Sequence, residues 1–237
     1  MNLPGQMVDK NFFNRDAQEV ARDMLGLVLF HRPIAQGADR GIWLAARIIE
    51  TEAYYLDDRA SHASLGFTEK RKALFMEPGT IYMYYARGGD SFNISCRGEG
   101  NAVLVKSAMP WLGVPNREEM LARMTLLNPL PGGRARSTER MCAGQTLLCK
   151  ALGLKVPRWD GLLLGADPDF ALLDVGYRPA SLLRTTRLGI PPGRDEHLPL
   201  RFVDEQHAAH CTRNPIRKNT VEGRDYQRLS PPGPARP

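Results

Sequence analysis

The sequence has no segment of the kind that carries a protein into or across a membrane. Residues 1–30 are interrupted by charged side chains and contain no signal-peptide apolar core. No apolar run approaches the ~20 residues that a membrane-spanning helix needs. The 237 residues include only four cysteines, and none of them form a CxxC pair. We therefore expect free thiols, a reducing cytoplasm and no association with a membrane.

The usual sequence signs of a bound cofactor are also missing. There is no internal repeat, no phosphate-binding glycine-rich loop and no dinucleotide fingerprint. His207, His210 and Cys211 resemble a metal cluster, but they lack a fourth ligand at a usual spacing. A solvated segment is therefore the better explanation of these three residues. The sequence therefore predicts no metal and no cofactor.

Positive charge is present in excess but is unevenly distributed. The net charge is +6 and the pI is about 9.3, which favours an anionic partner. Residues 213–237 contain six basic and two acidic side chains, so they carry four of the six net charges. This proline-rich segment is predicted to be a disordered basic tail, and residues 1–212 are predicted to form the functional domain. An anion-binding groove within residues 1–212 must then come from local clusters of charge.

One predicted strand begins apolar and ends in carboxylates. Over residues 43–54, strand alternation places Ile48, Glu50 and Glu52 on one face. Burying carboxylates on such a face is costly without a purpose. Together with Tyr54 and the nearby His62, a carboxylate here could hold a flat substrate and activate a water. The alternative is a surface strand end with solvated carboxylates.

Two further segments carry unusual side chains on predicted strands. In the strand over residues 80–85, Tyr82 and Tyr84 share one face, as expected either of a half-buried sheet or of a platform for stacking bases. A hairpin formed by residues 92–95 and 102–107 places Asn93 and Lys106 in otherwise apolar strands. Both polar side chains could instead point to solvent.

The remaining pattern indicates the fold class. Asn14 can cap a helix over residues 15–25, and a second helix over residues 145–152 can end at Gly153. Strands outnumber helices and do not follow a regular βαβ rhythm. The sequence therefore predicts an α+β domain with a mostly antiparallel sheet.

Several sequence blocks, in order from about Phe12 to Val203, resemble the alkyladenine (3-methyladenine) DNA glycosylase family. They are Arg47-Ile48-Ile49-Glu50-Thr51-Glu52-Ala53-Tyr54, Ala60-Ser61-His62, Pro78-Gly79-Thr80-Ile81-Tyr82-Met83-Tyr84, Asn93-Ile94-Ser95, Cys142-Ala143-Gly144 with Leu147-Leu148-Cys149, and Pro199-Leu200-Arg201-Phe202. One short block is a weak signal, whereas six in order along the chain are specific.

The resemblance implies a single domain with a curved, open-barrel-like antiparallel sheet flanked by helices. It also implies a monofunctional enzyme of base excision repair. Such an enzyme flips alkylated or deaminated purines out of double-stranded DNA and hydrolyses the N-glycosidic bond with a carboxylate-activated water. The family uses no metal and forms no Schiff base. We expect a bacterial monomer in the cytoplasm, with the nucleoid.

The family's catalytic residues can be matched to positions in this sequence. Glu52 matches the general base, and Glu50 is expected to have a structural role at the strand end, although it could be a second carboxylate. Lys106 stands where the family often has arginine, so the charge is kept and the bidentate fork is lost.

The resemblance also assigns the contacts with DNA. Tyr54, His62 and Tyr84 match the residues that enclose the flipped base, and Asn93 matches a side chain that disfavours the exocyclic amine of guanine. The family's tyrosine wedge into the DNA gap has no exact counterpart. The wedge is predicted to be Arg87, in a shortened glycine-flanked loop, or its neighbour Tyr85.

Two other functions fit parts of the sequence. A non-catalytic module that binds damaged DNA would also use basic loops and clustered tyrosines. A glycosidase acting on small sugars would share the carboxylates, but it would have no use for a basic surface.

Overall fold

A curled antiparallel sheet that forms a half-barrel dominates the fold, with helices packed on it. The structure is a computed structural model that describes residues 4–33, 41–86 and 88–230. Its strands are β1 (Gln6–Met7), β2 (Val28–His31), β3 (Leu44–Tyr54), β4 (Ile81–Ala86), β5 (Gly89–Ser95), β6 (Ala102–Pro110), β7 (Phe170–Asp174), β8 (Leu182–Thr185), β9 (Arg201–Asp204) and β10 (Tyr226–Leu229). The predicted α+β class with a curved antiparallel sheet is confirmed.

The helices are short and lie mostly beside the sheet. They are α1 (Ala17–Asp23), α2 (Arg117–Leu127), α3 (Gln145–Leu152) and α4 (Val156–Trp159), with 3-10 turns at Lys10–Phe13, Ala63–Leu65, Glu69–Phe75, Pro131–Gly133, Thr138–Arg140 and Glu205–His210. Within the described ranges, no helix is long and apolar enough to cross a membrane.

The two predicted helices are present, and one begins later than predicted. Helix α3 has the predicted bounds and ends at Gly153, whose left-handed backbone (φ 69°) suits glycine. Helix α1 is shorter than the predicted 15–25 helix. Its N-cap is Asp16 rather than Asn14, because the Asp16 carboxylate accepts the N–H of Gln18.

Strand β3 is the central strand of the sheet. Its first half pairs with β2, its last half pairs with β9, and β6 runs along its other edge. The apolar strand that ends in carboxylates is therefore enclosed by hydrogen-bonded neighbours on both sides. Because both edges are paired, β3 can fix the position of its side chains precisely.

An irregularity interrupts β3 around Glu50. The pairing with β6 shifts register between Ile48 and Glu50 and again between Glu50 and Thr51. Consequently Ile48 and Ala53 both belong to the large core, although they are an odd number of positions apart, and Ile49 belongs to a smaller core. The prediction that Glu50 and Glu52 continue the face of Ile48 is therefore wrong, because an extra residue in a strand changes which face follows.

Strand register places a row of side chains on one face of the sheet. Tyr82 of β4 pairs with Asn93 of β5, Asn93 pairs with Leu104 of β6, and Leu104 pairs with Glu52 of β3. Directly paired residues in antiparallel strands present their side chains on the same face. Residues two positions along each strand, such as Tyr54, extend the row.

The structure differs from the predicted disordered tail. Strand β10 pairs with β8 through all four of its residues, and Tyr226 is buried in the smaller core with Val203. The aromatic side chain of Tyr226 and the free edge of β8 supply the burial and the hydrogen bonds that order this segment. Arg228 forms ion pairs with Glu205 and Glu222, so its charge is partly neutralised. Residues 231–237 lie outside the described residues.

Candidate active site

A pocket of about 340 Å³ opens over the row of paired residues on β3 to β6. The loop after β3, the N-terminus of α3, residues 188–191 and Arg194 complete its wall. Five of the predicted site residues line this pocket: Tyr54, His62, Tyr84, Asn93 and Lys106. Strand register thus brings together side chains that are up to 52 positions apart in the sequence.

Glu52 lies behind two of the lining residues, and its side chain is completely buried. Its Oε2 accepts a hydrogen bond of 2.7 Å from the hydroxyl of Tyr54 and lies 3.5 Å from Nζ of Lys106. Its Oε1 accepts the backbone N–H of Leu188 at 3.0 Å. A buried carboxylate needs such partners, and here three donors supply them. The alternative of a surface strand end with solvated carboxylates is wrong.

The phenol of Tyr54 is held in its protonated form. Burial raises its pKa well above the ordinary value of 10, and the neighbouring charge of Glu52 raises it further. Tyr54 therefore donates to Glu52 at any ordinary pH. The guanidinium carbon of Arg187 lies 4.5 Å from the centre of the Tyr54 ring.

Lys106 supplies the cation closest to Glu52. Its side chain is only 10% exposed, so it does not point to solvent as one reading of the hairpin allowed. It lies on β6 between two residues paired to the irregular part of β3, Val105 opposite Thr51 and Ser107 opposite Glu50. An ammonium at this position offers charge without the planar fork of arginine.

Asn93 is also buried and lies on the pocket floor. Its Nδ2 donates to the carbonyl of Tyr82 at 3.1 Å. The backbone of the neighbouring strand therefore sets the orientation of the amide. A fixed amide at the floor of the pocket can exclude a ligand that clashes with it or that cannot form a hydrogen bond with it.

His62 and two tyrosines form an aromatic wall. The Nδ1 of His62 lies 2.9 Å from the hydroxyl of Tyr82, and its ring packs edge-on against Tyr84 with centroids 4.4 Å apart. Burial lowers the pKa of His62 below 6.5, with Arg71 and Arg194 adding to the effect. The ring is therefore neutral at neutral pH.

The wedge position is described only in part. Tyr85 follows Tyr84 at the end of β4 and is 69% exposed, so its ring stands free beside the pocket wall. Arg87, the other predicted wedge, lies outside the described residues. The structure therefore places one of the two candidate residues.

Glu50 is tied into a separate buried network. Its Oε1 accepts from Nε of Arg201 at 2.6 Å, and its Oε2 accepts from the Ser107 hydroxyl at 2.5 Å and the Thr212 N–H at 2.9 Å. The predicted ion pair or hydrogen bond at the strand end is confirmed. These contacts join β3 to β9, β6 and the segment after residue 211.

Several residues at the site were not predicted from the sequence. Tyr82 was assigned no role of its own, although the strand face that it shares with Tyr84 was a signal for it. Gln145, which donates to the Ser91 hydroxyl at 2.8 Å, and Leu188 had no recognisable pattern. Their positions follow from tertiary contacts alone.

The cluster around residue 207 does not form a metal site in the described part of the chain. No group of three or more His, Cys, Asp or Glu residues there is arranged to hold an ion. The Nδ1 of His207 instead lies 2.9 Å from the carboxylate of Asp204.

Comparison with known proteins gives one consistent result. The sequence model of the methylpurine-DNA glycosylase family matches residues 11–208. A Pseudomonas syringae pv. tomato protein named "Putative 3-methyladenine DNA glycosylase" is 59% identical over 225 residues, covering 94% of this chain and 97% of the relative.

Other bacteria contain similar proteins of the same name. One from Pseudomonas aeruginosa strain LESB58 is 60% identical over 219 residues, covering 92% of this chain and 88% of its own. One from Koribacter versatilis is 34% identical over 197 residues, covering 81% and 86%. Residues 11–208, which the family model matches, include every residue that lines the pocket.

Proposed function

The chain belongs to the methylpurine-DNA glycosylase family, and from this membership and its pocket we propose that it excises damaged purines from double-stranded DNA. It is a hydrolase of N-glycosyl bonds that acts in DNA repair. The finer proposal is that it flips the damaged nucleotide into the pocket and attacks the glycosidic bond with a water. We further propose that it acts as a monomer in the bacterial cytoplasm, with the nucleoid.

The aromatic wall supports base flipping. A base inside a duplex is inaccessible to an enzyme, and unstacking it costs a few kcal/mol. Stacking on rings such as those of Tyr54 and Tyr84 offsets this cost by ~1–3 kcal/mol per base. The neutral ring of His62 adds an edge without adding a positive charge. Damaged purines leave the stack most easily, so part of the selection precedes the pocket.

The environment of Glu52 supports the hydrolytic step. An ionised carboxylate offers about four acceptor positions, and Tyr54, Lys106 and Leu188 occupy three of them. The fourth position can accept a hydrogen bond from the attacking water. As the base leaves, positive charge develops on the sugar, and the carboxylate stabilises it while removing a proton from the water.

Lys106 completes this arrangement in the proposal. Its ammonium contacts both the pocket and Glu52, so its positive charge can stabilise the carboxylate and can also orient the water. Asn93 selects among purines, because the exocyclic amine of guanine would clash with its fixed amide. Tyr85, or Arg87 beyond the described residues, fills the gap that the flipped base leaves in the duplex.

The observation that carries this proposal is the buried carboxylate of Glu52 behind an aromatic pocket. Base release from duplexes that each carry one modified purine tests it. We expect release of free base and an abasic duplex, with no covalent enzyme–DNA adduct on borohydride treatment. Tight lesion binding without base release would instead support a non-catalytic binding module.

A further inference from the structure

A buried arginine lies directly behind the ring of Tyr54. Arg187 follows β8, its side chain is completely buried, and it is not among the residues that line the pocket. Its guanidinium carbon is 4.5 Å from the centre of the Tyr54 ring. Tyr54 lines the pocket whereas Arg187 does not, so the guanidinium would act on a bound substrate through the ring.

Polar contacts of the guanidinium nitrogens hold the group in this position over the ring of Tyr54. Nη1 and Nη2 form an ion pair with Asp58, Nη1 donates to the carbonyl of Ala53 at 3.1 Å, and Nη2 lies 3.4 Å from the carbonyl of Asp195. Within the described residues, Nε has no hydrogen-bond partner. The fork is therefore paired with Asp58, while the guanidinium carbon stays over the ring of Tyr54.

Arg187 also fixes the position of the backbone segment that donates a hydrogen bond to Glu52. Arg187 is anchored to Ala53 and Asp58 at the end of β3, and the next residue, Leu188, donates its N–H to Oε1 of Glu52 at 3.0 Å. Any variant at Arg187 can therefore slow catalysis on every substrate. A specific electrostatic role has to be separated from this general one.

A cation on one face of an aromatic ring changes what the other face attracts. The negative electrostatic potential on both faces of the ring comes from a single π system. A guanidinium bound to one face therefore weakens the attraction that the other face offers to a cation. A second cation on the opposite face then gains less and is also repelled by the first. A neutral purine, which stacks mainly by dispersion and apolar contact, loses little.

We propose that Arg187 is a positioning residue that sets substrate specificity through Tyr54, reducing the advantage of purines with a fixed positive charge over neutral damaged purines. The proposal rests on the proposed excision activity and deepens it. Asp58 moderates the effect, because its carboxylate partly neutralises the guanidinium at the edge away from the ring.

The test is a ratio of rates measured in one protein preparation. Single-turnover base release is followed on two duplexes, one carrying cationic 7-methylguanine and one carrying neutral ethenoadenine. The ratio of the two rates cancels the fraction of active protein and any loss common to both substrates. Arg187→Met removes the charge and keeps an unbranched apolar stem, and Arg187→Lys is the matched control that keeps a cation.

We expect Arg187→Met to raise the 7-methylguanine to ethenoadenine ratio by about three- to tenfold over the parent, the range that one cation–π contact supports. Arg187→Lys should stay within about twofold of the parent on the same scale. Equal slowing of both substrates by Arg187→Met would show a purely structural role and overturn the proposal.

Asp58→Asn provides an independent test, including the case in which the Arg187 variants do not fold. It removes the neutralising carboxylate and leaves the guanidinium, so the ratio should fall below that of the parent. An unchanged or raised ratio in Asp58→Asn contradicts the proposal. If the parent protein releases neither base, the proposed function itself is refuted. That result differs from every result in which only the ratio of the variants fails to change as expected, so the two failures can be told apart.

Discussion

Glu52→Gln is the change that tests the proposed mechanism most directly. The substitution preserves the size of the side chain and removes its negative charge. Binding of a lesion duplex depends on phosphate contacts and stacking, which Gln leaves in place, whereas the transition state requires the charge. We expect affinity close to that of the parent and a loss of at least the ~10²–10⁴-fold that a general base contributes.

The hydrogen bonds of Glu52 predict how the variant will adapt. The two donors at Oε2, from Tyr54 and Lys106, require an oxygen there, so the amide nitrogen must take the place of Oε1. That nitrogen then faces the N–H of Leu188, and two donors oppose each other. The unsatisfied donor should lower the free energy of unfolding by about 1–3 kcal/mol. Thermal denaturation therefore accompanies the rate measurement.

Glu50→Gln is the matched control for the loss of a carboxylate. It removes the partner of the buried Arg201, so it should destabilise the fold by about 3–5 kcal/mol. Below its unfolding temperature, the folded fraction should still excise at a rate near that of the parent. Single-turnover excision and a binding titration on one duplex decide the outcome. An active Glu52→Gln beside a folded, binding but inactive Glu50→Gln would refute the assignment of Glu52.

Three further outcomes are expected. Asn93→Ala should relax the exclusion of guanine and raise release of undamaged or 7-alkylated guanine relative to adenine lesions; an unchanged ratio in a panel of duplexes would contradict this. Tyr85→Ala should weaken capture of the flipped base more than it slows the chemical step, as measured by a fluorescent base analogue and single-turnover excision, and it should leave stability unchanged because the ring is exposed. Truncation after Thr212 should lower the free energy of unfolding by about 3–5 kcal/mol, because it removes the buried ring of Tyr226 and all of β10. Truncation after Ser230, which retains all of β10, is the control, and urea denaturation is measured for both truncated proteins.

The sequence was sufficient to predict the local elements of the fold. Strand alternation located β3 and β4, and glycine at position 153 marked the end of α3. These features depend on side-chain direction and backbone freedom over a few residues, so a linear pattern contains them. The disordered tail was predicted from composition, which carries no record of the free edge of β8 or of the core that buries Tyr226.

The sequence by itself determined which side chains could do chemistry: a carboxylate at a strand end, tyrosines on one strand face, and Asn93 and Lys106 as polar residues in apolar strands. Only the tertiary structure decided how they meet. Register across four strands aligned the row, and the irregularity in β3 turned the carboxylates away from the apolar face. Arg187 reaches Tyr54 from 133 positions away. Contacts over such distances depend on how the whole chain packs, and no local periodicity records them.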